Sequence, residues 1–128
     1  MTLRIVRLGE PRHGREGTRI GTVRRPPRGV RKEQFARDDW FDVWFPDLAP
    51  SAKLMARGKA TVTETQWKGF VRAFKAEMNA STAQHALDLL AALSHGTNLS
   101  IGCYCENEAR CHRSVLRELL AGRGANLT

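Results

Sequence analysis

All three cysteines of the chain fall within twelve residues, Gly102-Cys103-Tyr104-Cys105-Glu106-Asn107-Glu108-Ala109-Arg110-Cys111-His112-Arg113, with one of its four histidines and two arginines. A thiol next to an imidazole and a guanidinium loses its proton more readily than a free one. Cys111, beside His112 and Arg113, therefore has the surroundings of a nucleophile or a redox-sensitive thiol, and Cys105 is the candidate resolving partner. A second chemistry is anion binding. If a helix starts here, its unpaired N–H groups and partial positive charge, with His112, Arg113 and Ser114 as side-chain donors, suit a phosphate or carboxylate. The third is metal binding by Cys103, Cys105, Cys111 and His112. Zinc knuckles, however, space their pairs two to four residues apart, whereas adjacent Cys111 and His112 diverge by a helical step, so no metal ligand and no cofactor is assigned. A phosphatase-type loop also fits poorly, because only four residues separate Cys105 from Arg110 and none is a glycine.

Cysteine is also one of the most buried residue types, and Cys103 is expected to be a core residue of a strand. For Cys111-His112-Arg113, packing and chemistry are evenly matched. His13, His85 and His95 have no matching partner at useful spacing and receive no role.

The elements that must position these groups are legible from patterning. Asn98 to Cys105 alternates Leu99, Ile101, Cys103 and Cys105 on one side, as in a strand, and a helix should run from Cys111 or His112 through Ala121. Upstream, Leu3 to Leu8 reads as a strand near a sheet edge and Gly9 to Gly17 as a loop. Thr18 to Val23 reads as a second strand weakened by Gly21, and Pro26-Pro27-Arg28-Gly29 as an exposed basic turn. Phe35 to Trp44 suggests a short helix or irregular turn ended by Pro46. Ser51 caps a brief helix that Gly58 would terminate. Thr63 with Gln66 forms a capping box ahead of Trp67, Phe70, Val71, Phe74 and Met78 at helical spacing. Ser81 with Gln84 predicts another, ahead of Ala83, Ala86, Leu87, Leu90 and Leu93, with Gly96 closing the helix. Strands first, then helices, then a strand and a helix favour an α/β fold. The expectation is a small single-domain layered structure over residues 1–128, a mostly parallel sheet flanked by helices with the last strand inside it.

The net charge of +8 is confined to the first 32 residues, where ten Arg or Lys face two acids, while the rest of the chain sums to zero. Clustered charge creates a local potential and points to an anionic partner, either a small molecule or nucleotide, or a nucleic acid chain. No aromatic is interleaved among those charges, so the stacking platforms of many single-strand binders are missing there. No apolar run suits a secretory signal or a membrane span, and three cysteines make an awkward disulfide framework, so a cytoplasmic location is expected.

Gly17-Thr18-Arg19-Ile20, Pro27-Arg28-Gly29-Val30 with Lys32-Glu33, the Asp-rich aromatic segment with Trp40 and Trp44, Asp47-Leu48-Ala49-Pro50-Ser51 and Cys111-His112-Arg113 resemble, in that order, the YeaO-like proteins. This is a bacterial family of unknown function. The resemblance spans nearly the whole chain and implies a compact α/β domain, and little about reaction. Where such proteins usually carry Asp-Arg-Leu-Trp-Pro-Arg-Gly, this chain has Val23-Arg24-Arg25-Pro26-Pro27-Arg28-Gly29; the acid and the aromatic are lost, while Arg24 and Arg28 remain. The resulting expectation is a pocket where the last strand meets the last helix. Cys105, Cys111 and His112 would be its reactive groups, and Arg24, Arg28, Arg113 and Ser114 would hold an anion. A non-catalytic nucleic-acid-binding module built on the basic segment is the rival.

Overall fold

The computed structural model describes all 128 residues. Four strands, β1 (Leu3–Arg7), β2 (Thr18–Gly21), β3 (Val43–Trp44) and β4 (Leu99–Cys103), form one sheet in the order β1-β4-β2-β3. Every pairing is parallel, with Leu3 beside Leu99 and Ile20 beside Ile101. The helices are α1 (Ala52–Lys59), α2 (Glu64–Glu77), α3 (Ser81–Leu93) and α4 (His112–Gly122). As expected, β1 lies at an edge and β4 inside the sheet, where all five of its residues are buried.

The two faces of the sheet are covered differently. Leu3, Leu99 and Ile101, with Ile5 and Ile20 beside them, project to one face and share a single core with Leu54 of α1, Phe70 and Phe74 of α2, Leu87 and Leu90 of α3, and Val115, Leu116 and Leu120 of α4. Fully burying each of these large apolar side chains is worth about 1.5–3 kcal/mol, so this face dominates stability. The opposite face, carrying Arg19 and Ser100, is covered by loops instead. Arg19, 1% exposed, pairs with Glu16, 2% exposed. Its remaining N–H groups donate to the carbonyls of Glu10 and Asp39, and Ser100 Oγ donates to Glu16. The expected parallel sheet flanked by helices is what forms, with one refinement: apolar strand positions recruit helices to one face, and the buried ion pair lets loops seal the other.

Several local expectations need revision. The aromatic segment yields turns and the short edge strand β3, whose two residues are too few to show an alternating pattern. Gly58 does not end α1. It lies inside the helix, where a Cβ would stand 2.7 Å from Phe70 Cε2, so its missing side chain lets α1 approach α2 closely. Ser81 is the first helical residue of α3 and makes no capping hydrogen bond, while Gln84 reaches back to donate to the Asn79 carbonyl. Gly96 lies beyond the end of α3, which gives way at Ser94. The Thr63–Gln66 capping box forms as expected, and so does the Ser51 cap, which accepts from the Leu54 N–H at 3.2 Å.

Candidate functional site

In a parallel sheet, ligands bind beyond the carboxyl ends of the strands, and here that end of β4 emerges between β1 and β2. Cys103 is the last residue of β4, and Cys111 is the N-cap of α4. The loop between them is pinned on several sides. Arg110 pairs with Glu64 at 2.7 Å and lies over the Trp67 ring, Arg117 pairs with Glu108 at 2.7 Å, and Arg113 donates to the carbonyls of Cys105 and Val6. Spacing gave no sign of the braces to Glu64 and Val6, which lie 46 and 107 residues away in the chain.

The three thiols are sorted by depth. Cys103 and Cys111 are 2% and 3% exposed and pack with Leu8, Val23 and Phe41, whereas Cys105 is exposed. The Sγ atoms of Cys103 and Cys111 are 2.7 Å apart, and the Cys105 backbone N–H donates to Cys103 Sγ at 3.4 Å. Hydrogen bonds from the Cys103 and Cys111 thiols hold the Cys105 thiol far below its ordinary range against the cost of its partial burial, with Arg113 adding positive charge. Hydrogen bonding to Cys105, then to Cys111, and burial push Cys103 up. In Cys111 the bond with Cys103 acts downward, but donation to Cys105 and burial outweigh it and the thiol is raised. The first negative charge in the cluster therefore belongs to the outermost sulfur, and it discourages a second one deeper in.

His112 is 3% exposed and stands edge-on to Phe74. Its Nε2 lies 2.6 Å from the Thr22 carbonyl, which only accepts, so Nε2 carries the proton and the Nδ1 lone pair faces Cys111 Sγ at 3.7 Å. Burial, only partly opposed by the Thr22 bond, lowers its pKa to about 4, and the ring is neutral near pH 7. Cys103, Cys111 and His112 offer three possible metal-ligating atoms within 4.8 Å of one another. Two thiolates on a tetrahedral zinc sit about 3.8 Å apart, given Zn–S bonds of about 2.3 Å. At 2.7 Å the two sulfurs are nearer together than two such zinc ligands and nearer than two thiols in ordinary van der Waals contact.

A cleft of about 1220 Å³ opens over this cluster. Leu8, Val23, Trp40, Met55 and Tyr104 contribute apolar surface; Arg7, Arg24, Arg25, Arg28 and Lys59 contribute cationic groups; Cys103, Cys105 and His112 reach it from the thiol cluster. Residues from the far N-terminal part of the chain thus share one cavity with the cysteine segment. Arg25, Arg28 and Lys59 are exposed there. Arg24 is spent on structure, donating to the carbonyls of Pro50 and Ala49. Lys59 was not among the expected residues. Lys59 is brought in by the packing of α1, and Arg25 lies in the stretch whose basic character was noted.

Arg113 and Ser114 are placed differently from the expectation. Arg113 is 3% exposed and its terminal nitrogens are bound to the Val6 and Cys105 carbonyls, which makes it a clamp between β1 and the cysteine loop. Ser114 Oγ donates to the Cys111 carbonyl, and the residue does not line the cleft. Cys111 is buried and does not line the cleft, and of the cysteines Cys105 is the exposed one. The N-terminal charge excess is also partly internal, because Arg12 pairs with Asp39 and Asp42 and Arg19 with Glu16. No helix is long and apolar enough to cross a membrane.

The family model described as the active DUF488-N3 subclade, DUF488-N3a, matches residues 3–124. No curated protein and no solved structure matches the chain.

Proposed function

The chain belongs to the DUF488-N3a family, part of the larger family that includes the YeaO-like proteins, and from that premise we propose that it is an enzyme acting on an anionic small molecule through Cys105. One observation carries the reading: the exposed Cys105 thiol shares a single cleft with three exposed cations, Arg25, Arg28 and Lys59. The family description, which calls the subclade active, supports catalysis over passive binding.

Cys105 is the nucleophile, ionised because the two buried thiols donate hydrogen bonds to it. The cations at the rim hold the negative groups of the substrate. Val23, Met55, Trp40 and Tyr104 receive its apolar or planar part, a combination that suits a nucleotide or an organic acid of similar size. The His112 bond to Thr22 fixes the start of α4 against the end of β2.

Alkylation with two reagents of similar size and opposite preference tests this. Iodoacetate is anionic and iodoacetamide is neutral. Relative to a free thiol, Cys105 should favour iodoacetate, and Arg25→Ala/Arg28→Ala/Lys59→Ala should abolish the preference. An unreactive Cys105, or one with no preference between the reagents, would remove the proposal. A nucleic acid chain is the second reading, favoured by the exposed Arg25, Arg28, Arg31 and Lys32 along one loop. It requires retention on a polyanion column that falls steeply with salt.

A further inference from the structure

Cys103 and Cys111 do not contact the substrate in that reading, yet their arrangement is specific. Their sulfurs touch at 2.7 Å, buried among Leu8, Val23 and Phe41. The N–H of Cys105 bonds back to Cys103 Sγ at 3.4 Å, which ties the exposed residue's backbone to the buried pair. Beside Cys111 lies an imidazole nitrogen, His112 Nδ1, whose lone pair is free because Nε2 holds the proton against Thr22. The thiols form a series from solvent to core, with a proton acceptor next to one of the inner pair.

We propose that this series is a dithiol relay and that the protein reduces a small anionic disulfide, with Cys105 as the entry thiol and the Cys103–Cys111 pair as the electron donor. Resting on the Cys105 reading above, it names the substrate class and the source of electrons. Cys105 thiolate attacks one sulfur of R–S–S–R, forming a Cys105–S–S–R bond and expelling RS⁻. Cys111 then attacks the Cys105 sulfur. Its proton passes by way of His112 Nδ1 to the second leaving group, which departs as RSH and leaves a Cys105–Cys111 disulfide. Cys103 attacks Cys111, a Cys103–Cys111 disulfide forms, and Cys105 is released as thiolate with the Cys103 proton going to solvent. The substrate has gained two electrons and the buried pair has lost two. Attack at each step needs a neighbouring thiol: Cys103 and Cys111 are in contact, and the Cys105 backbone is tied to Cys103. A carboxylate-bearing disulfide suits a cleft of about 1220 Å³ with an apolar floor and cationic rim; a hydroperoxide would leave most of it unfilled.

Glutathione disulfide is a suitable probe. Fully reduced protein, freed of reductant, is mixed with it, quenched in acid and mapped by mass spectrometry without reduction. The expected product is a Cys103–Cys111 link with Cys105 free and two glutathione thiols released per chain. Cys111→Ser should stop with one glutathione held on Cys105, and Cys105→Ser should give no link in the same time. Glutathione persisting on Cys105 of the wild type, three untouched thiols, or stoichiometric zinc in protein purified without chelator would each overturn the relay. If the iodoacetate preference holds and the link still fails to form, the relay alone falls. If Cys105 reacts with neither reagent nor probe, both proposals fall.

Discussion

His112 Nε2 donates to the carbonyl of Thr22, ninety residues earlier in the chain, at 2.6 Å. This bond ties the first residue of α4 to the end of β2, and it fixes which ring nitrogen faces Cys111. The imidazole is buried and neutral, so protonating it in the folded protein is costly.

That burial makes stability depend on pH in a defined window. The folded pKa of His112 is about 4, below the ordinary value of 6.5. An unfolded chain therefore takes up a proton first as the pH falls, and the stability contributed by the neutral ring is complete above about pH 6.5 and lost as the pH drops towards 4. The loss approaches about 3 kcal/mol. Urea titrations at several pH values should show it, and His112→Gln, which keeps a donor and cannot titrate, should flatten the curve over this range.

Glu16 should dominate a second, more acidic window. Burial alone would raise its pKa, but hydrogen bonds from Arg19, Ser100 and the His13 N–H outweigh it and bring the carboxyl to about 2. Its stabilising effect is present above the ordinary value of 4.5 and disappears as the pH falls through 2. Glu16→Gln leaves the Arg19 charge buried without its counter-ion, which costs about 3–5 kcal/mol. A melting temperature lowered by more than 10 °C, roughly what such a loss implies for a domain of this size, would be seen by calorimetry.

Arg24 and Arg28 lie four residues apart at the same cleft and should behave differently. Arg24→Ala removes two guanidinium bonds, to the Pro50 and Ala49 carbonyls, and should lower stability by about 1–3 kcal/mol. Arg28 is exposed, and Arg28→Ala should stay within about 0.5 kcal/mol of wild type in the same urea titration. Its effect belongs in the iodoacetate rate of Cys105.

Gly58→Ala offers a test of the helix packing that forms one wall of the cleft. In an exposed helix this change stabilises by roughly 1 kcal/mol. Here the new methyl would meet the Phe70 ring at 2.7 Å, so a loss of about 1–3 kcal/mol is expected, read as a lower urea midpoint.

Local physics was enough for much of this protein to be read from its sequence. The Thr63–Gln66 box and the aromatic stripe behind it specify α2, because capping and helical periodicity involve neighbours in the chain. The alternation through Leu99, Ile101 and Cys103 marks a strand, and the order of elements along the chain places it inside the sheet. The clustering of cysteines next to His112 identified the region of the site. What sequence could not decide was depth and company. Cys111, beside His112 and Arg113, looked the more reactive thiol, yet it is buried with Leu8, Val23 and Phe41 while Cys105 is exposed. Arg113 looked like an anion ligand and is a clamp, since the carbonyls of Val6 and Cys105 reach it first. The meeting of Arg25, Arg28 and Lys59 with Cys105 depends on β4 inserting between β1 and β2 and on α1 closing one side. Those are long-range choices, made by burial of apolar surface across the whole domain, and no local pattern encodes them.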